Sequence, residues 1–139
     1  ARFVEQVDLD CILLAGRYTL LDRSGAELLA SCESLGIDVI AGGVFNSGLL
    51  ANPVVGAPFD YTAAPPALVA RAQALQAVCE EFEVPLPAAA LQFVARHPAV
   101  ARTLVGARSA AEIEADVAYA DLDIPAELWA ELESVTSRW

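Results

Sequence analysis

The chain has 139 residues, 56% of them hydrophobic, and a formal net charge of −11 that sets 19 acidic residues against eight arginines and no lysine. One domain's worth of sequence with ample apolar material can bury a sizeable core. The few scattered arginines argue against nucleic acid or an anionic membrane as partner, since phosphate binding needs clustered positive charge, and no apolar run reaches the roughly 18 residues of a membrane span. The opening "ARFVEQVDLD" has no apolar core of a signal peptide. The sequence contains no Met, not even at position 1, so it is expected to be a processed product, a fragment or part of a longer protein.

In chain order, "CILLA" (11–15) is a continuous apolar run, which predicts a strand buried on both faces. "RSGAELLASCESLG" then predicts a helix. Ser24 and Glu27 have capping-box spacing, and Gly36 is the stop. "IDVIA" (37–41) predicts a second buried strand, and 43–66 a Gly/Pro-rich loop long enough to be functional. From Pro66 the residues Leu68, Ala72, Leu75, Cys79 and Phe82 share one helical face. "PLP" (85–87) interrupts, 88–96 is a further short helix, and Pro98 stops it. "ARTLVGA" (101–107) predicts a third strand. Ser109 and Glu112 form a second capping box that opens a helix through about Tyr119. Pro125 begins the last helix, with Leu128, Leu132 and Val135 on one face. Buried strands alternating with helices imply an α/β fold with a parallel sheet, either a small open layer with helices on both sides or an arc of a larger barrel.

The chemistry-bearing residues are few. Cys11, Cys32 and Cys79 are odd in number and form no CxxC pair. Each sits in apolar sequence, so buried thiols in a reducing, cytoplasmic compartment are expected rather than a metal or redox site. His97, the single histidine, lies at a helix end and is read as a cap or a solvated side chain. Glu80 and Glu81 read as a solvated helix face. Arg17 and Tyr18 follow a buried parallel strand directly, where α/β active sites collect. "AGGVFNSGLLA" (41–51) and "LVGARSAAEIEADV" (104–117) share a design: a strand runs into a glycine-containing turn. Such turns, and helix N-termini, attract anions. Gly42, Gly43 and Gly48 either only permit tight turns or bring backbone against phosphates. Neither stretch is a G-x-G-x-x-G fingerprint or a P-loop, so spacing leaves both open.

"CILLAGRYTLLDRSG…ELL", "GIDVIAGGVFNSGLLA", "VPLPAAALQFVARHPAV" and "TLVGARSAAEIE", in this order and across essentially the whole chain, resemble the C-terminal part of an aldo-keto reductase, and within that family the branch of sugar and pyridoxal dehydrogenases. The resemblance implies a (β/α)8 barrel of which residues 1–139 are a single partial domain holding the last three strands. It implies NAD or NADP as cofactor. Gly43, Phe45, Asn46 and Ser47 match the loop along the pyrophosphate. Gly106, Arg108, Ser109, Glu112 and Asp116 match the turn and helix at the adenosine end. The intact enzyme would move hydride between nicotinamide and a sugar or aldehyde carbon.

Several positions depart from the family pattern. Its reaction uses a Tyr acid/base supported by Asp, Lys and His from the first half of the barrel. A chain without lysine cannot hold that set, so no catalytic residue is assigned and this chain alone is expected to be inactive. Ala15 stands where many members have a Gln that holds the nicotinamide amide, and Gly42 where many have a stacking Tyr. Ala115–Asp116 replaces a usual Glu-Asn. Glu112, with Glu114 and Asp116 nearby, favours NAD over NADP. The alternatives are a non-catalytic half-barrel that acts as an assembly or interaction module, and a generic small α/β ligand-binding domain. A lone half-barrel is expected to bare an interior face carrying Leu13, Val39 and Leu104 or their alternating neighbours. It should then self-associate or pair with the missing N-terminal half.

Overall fold

The computed structural model describes residue 4, residues 6–60 and residues 62–139. Three strands, β1 (Cys11–Ala15), β2 (Asp38–Gly42) and β5 (Val100–Leu104), form a parallel sheet in the order β1-β2-β5. Helix α1 (Ala26–Leu35) connects the first pair. The second crossover carries α2 (Pro66–Glu81) and α3 (Leu86–Ala95). Helices α4 (Ala110–Asp121) and α5 (Ala126–Thr136) follow the last strand. The expected 43–66 loop contains a 3-10 turn (Asn46–Gly48) and a two-stranded hairpin of β3 (Pro58–Phe59) and β4 (Thr62–Ala63). Tyr61, within that loop, lies outside the described residues.

The two capping-box sequences behave differently. The Ser109 hydroxyl accepts from the Glu112 N–H at 3.2 Å and starts α4. The Glu112 carboxylate does not return to Ser109 but accepts from the Arg108 N–H. Ser24 caps nothing. Its own N–H donates to Asp22 Oδ1 at 2.8 Å, and α1 begins after Gly25 with no side-chain cap. At its other end α1 stops as expected. Gly36 takes φ 69°, Ile37 N–H reaches the Cys32 carbonyl and Gly36 N–H the Glu33 carbonyl, the double bond pattern of a left-handed helix end.

Register decides which strand residues are core. In parallel pairing the partners share a face, so Ile12 and Leu14 lie with Val39 and Ala41, while Leu13 lies with Ile40 and Arg102. The first face is covered by helices, and Val39 is fully buried. On the second face Cys11 and Ala15 are exposed, Leu13 is 57% exposed and Leu104 53%. Three expectations are thereby corrected. The first strand is buried on one face only. Val39 belongs to the helix-packed side, its neighbour Ile40 to the bare one. Cys11 is an exposed thiol, whereas Cys32 and Cys79 are buried as expected. Helices on one face only also exclude an open layer covered on both sides.

The main core lies between the covered face and α2, α3 and α5, with Leu49, Leu50, Leu75, Val94, Leu128 and Leu132 essentially fully buried. A smaller cluster of Leu29, Cys32, Ile37 and Val39 sits beneath α1. In α2 the buried stripe is Val69, Ala72, Leu75 and Cys79. Leu68 and Phe82 stay half-buried at its margins. No helix among the described residues is long and apolar enough to cross a membrane.

Candidate functional site

Strands β2 and β5 are neighbours, with Gly42 beside Leu104, so the turns that leave their carboxyl ends meet. Between them lies an open groove of about 730 Å³, within the size range of ligand pockets. One wall comes from the β2 turn and includes Gly43, Phe45, Ser47 and Gly48. The other comes from the β5 turn and α4 and includes Gly106, Arg108, Glu112, Ala115, Asp116 and Tyr119. Seven of the nine positions matched to a cofactor site thus line one groove. The other two serve it from behind: Ser109 caps α4, and Asn46 is buried within the β2 turn.

The β2 turn is unusual backbone. Gly43, Asn46, Ser47 and Gly48 all have positive φ, at 63°, 46°, 59° and 100°. Phe45 precedes the left-handed pair in a near-helical conformation (φ −91°, ψ 7°). A right-handed residue followed by a left-handed one gathers N–H groups into an anion-binding concavity. Part of the glycine requirement is structural, because a Cβ on Gly43 would stand 3.0 Å from Gly16 N. Gly106 is different. Its φ is unremarkable and no protein atom lies within 4 Å of where its Cβ would be, so the space its missing side chain leaves belongs to the groove. Asn46 is 4% exposed, and its Oδ1 has no hydrogen-bond partner among the described residues. Glycine space and turned backbone fit an anionic, phosphate-bearing ligand.

At the α4 end, charge is already paired. Glu112 accepts from Arg108 N–H, from Nε at 3.2 Å and from Nη2 at 3.0 Å. The backbone bond first, and the guanidinium bond second, hold its carboxyl below the usual range. Asp116 is pushed up, by partial burial and then by the Glu112 charge.

Arg17 and Tyr18 lie outside this groove. Arg17 pairs with Asp22 and with Asp60 at the hairpin tip, both at 3.3 Å. Tyr18 stacks on Phe93 at 5.0 Å and meets the His97 ring edge-on. Burial raises its hydroxyl pKa. Tyr18 thus sits against side chains of α3 and its C-terminal end, while Arg17 is exposed beside the hairpin of the loop that follows β2. His97 Nδ1 accepts from Ala99 N–H at 3.2 Å, a local cap as expected. Glu80 and Glu81 are exposed. No cluster of three or more His, Cys, Asp or Glu that could hold a metal occurs among the described residues. Ala115 enters the sequence reading only as a departure from the family's Glu-Asn, and Tyr119 only as the end of a helix, yet both line the groove. Their spacing from Glu112, three and seven residues along the same helix, is the signal that places them on its face.

Residues 4–137 match the model of the Aldo/keto reductase family. Pyridoxal 4-dehydrogenase of Microbacterium luteolum is 47% identical over 133 residues, which is 94% of this chain and 39% of that protein. D-threo-aldose 1-dehydrogenase of a Pseudomonas species is 42% identical over 134 residues, 94% of this chain and 41% of that protein. The chain therefore spans about two fifths of the length of the curated relatives it matches. An aldo-keto reductase of Bacillus halodurans superposes in both apo and holo forms with TM-score 0.73 at 21% identity, covering 96% of this chain and 46% or 45% of those chains. A glycerol dehydrogenase of Gluconobacter oxydans does so with TM-score 0.69 at 18% identity, covering 98% and 45%.

Proposed function

The chain belongs to the aldo/keto reductase family, with the fold of part of its (β/α)8 barrel, and from that premise we propose that it supplies the dinucleotide-binding part of an NAD(P)-dependent oxidoreductase. The observation that carries this is the groove between the β2 and β5 turns, with its run of left-handed backbone on one wall and a helix start on the other. In this proposal Gly43, Phe45 and Ser47 hold the pyrophosphate, through backbone N–H groups and the Ser47 hydroxyl, and Asn46, whose N–H donates to the Gly43 carbonyl, shapes the turn that carries them. Gly106, Arg108, Ser109, Glu112 and Asp116 hold the adenosine end, with Ser109 acting through the helix start it caps. A bound nicotinamide dinucleotide supplies hydride transfer. This chain's own residues bind and orient.

The whole protein would act on a sugar or aldehyde carbon, as the names of the two relatives indicate for those proteins. No Tyr–Lys acid/base pair can come from a chain without lysine. We assign NAD rather than NADP, because Glu112 already takes the one cation at the adenosine end and adds negative charge where a 2′-phosphate would lie. Three unpaired cysteines support a reducing, cytoplasmic setting. The bare sheet face favours one further role, as an assembly surface for a second copy or for the rest of a barrel. Isothermal titration of the chain with ADP-ribose tests the central proposal. Saturable one-to-one binding is expected, and no detectable heat at millimolar ligand would overturn it.

A further inference from the structure

We propose that the chain carries a second ligand site, a pocket for a small monocarboxylate with an apolar body, where the loop between β1 and α1, the C-terminal end of α3 and helix α5 meet. The pocket measures about 470 Å³, within the size range of small-molecule sites. It shares no lining residue with the groove at the strand ends. Its functional groups come from three segments far apart in sequence: Tyr18 and Arg23, then Arg96 and His97, then Trp129 and Glu133.

These groups are mostly donors. Arg23 lies over the Phe93 ring at 4.1 Å, and its Nη2 donates to Glu133 at 3.0 Å. Its Nε–H is buried with no acceptor among the described residues. A buried N–H without an acceptor is costly, and an acceptor brought by a ligand removes that cost. Arg96 lies over the Trp129 ring at 4.4 Å. It pairs with no carboxylate among the described residues, although acidic residues outnumber arginines 19 to eight. Stacking fixes the plane of a guanidinium and leaves its N–H edge free for an oxygen ligand. His97 Nδ1 accepts from the Ala99 N–H, so the neutral ring is a donor at Nε2. Charge sets the ligand class. Glu133 compensates Arg23, which leaves Arg96 as the one uncompensated full charge at the pocket. A single negative charge balances it, whereas a dianion would be repelled by the Glu133 carboxylate. Tyr18, Trp129, Pro98 and Ala130 offer apolar surface to the rest of the molecule.

Trp129 is a reporter inside the pocket. The chain has two tryptophans, and the other, Trp139, packs with Arg71 instead. In the Trp139→Phe protein, benzoate should change Trp129 fluorescence saturably, and titration calorimetry of the unmodified chain should return the same dissociation constant. Benzamide, which has the same shape without the charge, should bind about tenfold more weakly, the worth of a charge-assisted hydrogen bond. Arg96→Gln, at an exposed position, should weaken benzoate by a similar factor with thermal unfolding unchanged. Glu133→Gln should tighten benzoate about threefold, because the competing carboxylate is gone. No saturable response at millimolar benzoate overturns the site. So does benzamide binding to the parent, or benzoate binding to Arg96→Gln, within about twofold of benzoate on the parent. Inorganic phosphate bound more tightly than benzoate, or no tightening in Glu133→Gln, overturns the assignment of a monocarboxylate.

Discussion

Gly43 and Gly106 look alike in sequence, each the turn glycine after a strand, yet they are glycine for different reasons. At Gly43 the backbone is left-handed and a Cβ would press on Gly16 N. At Gly106 neither constraint exists. Gly43→Ala should therefore cost stability, about 1–2 kcal/mol for the left-handed backbone alone. Gly106→Ala should leave stability within about 0.5 kcal/mol and lower ADP-ribose affinity. Urea denaturation and calorimetry on the same two variants check both halves, and equal stability loss in the two would sink the distinction. Glu112 carries a second residue-scale prediction. Its carboxylate engages Arg108, so Glu112→Arg should narrow the preference for NAD over NADP, read as the ratio of the two dissociation constants. A parent protein that prefers NADP would refute the assignment. Bonds from Arg108 lower the folded pKa of Glu112. That contact's stabilisation is thus fully present above the unfolded value of about 4.3 and is lost as pH falls through the lower folded value. Asp116 runs the other way. Its raised folded pKa makes the charged form unfavourable in the fold, so the penalty vanishes on acidification. Carboxylate-detected NMR should find Glu112 titrating below its ordinary range and Asp116 above it.

At the scale of elements, α4 is the exception among the helices, with no fully buried residue and with Ile113 and Val117 exposed. Its position depends on the Ser109 cap and the two Gln92 bonds as much as on packing. Ser109→Ala should cost about 1 kcal/mol, and native-state hydrogen exchange should show α4 opening at lower free energy than α2, whose stripe is buried. Equal protection of the two helices would contradict this. The paired Ser-x-x-Glu sequences show how far element signals can be read. Both spacings are correct, but Ser24 is followed by Gly25 and lies beside Asp22, which captures its N–H. Ser109 has no such competitor. The helix starts one residue later than the Ser24 spacing implies, with Gly25 at the cap position, so the Ser24 hydroxyl is out of place to cap it.

For the whole molecule the decisive feature is the uncovered side of the sheet, with Leu13 and Leu104 more than half exposed and both outer strands, β1 and β5, without a second partner among the described residues. Covering about 400 Å² of apolar surface is worth on the order of 10 kcal/mol at roughly 25 cal/mol/Å², before the cost of association. The 139-residue chain should therefore associate at micromolar concentration, and Leu13→Glu should weaken that association. Sedimentation equilibrium decides it. A single 14.6 kDa species at all concentrations would show that the face is satisfied within one chain. The same chain should produce no NADH with aldoses or pyridoxal, because it has no lysine to support a tyrosine acid/base. Turnover above a buffer control would refute that.

The order of the three sheet strands and the helices, the groove-forming turns and the family were legible in the sequence, from apolar runs, proline and glycine punctuation, and four motifs in fixed order; the short β3–β4 hairpin inside the 43–66 loop was not. The side of the sheet that is core was not. "CILLA" is apolar at every position, so it carries no alternation from which a face could be read, and only the packing of helices against Ile12, Leu14, Val39 and Ala41 selects one. Nor was the fate of Arg17 and Tyr18, which depends on Asp60 and Phe93, dozens of residues away. Tyr119 joins the groove for the same reason. Its spacing from Glu112 puts it on the right face of α4, but how that face is set is decided where α4 docks on α3 through Gln92, a long-range contact.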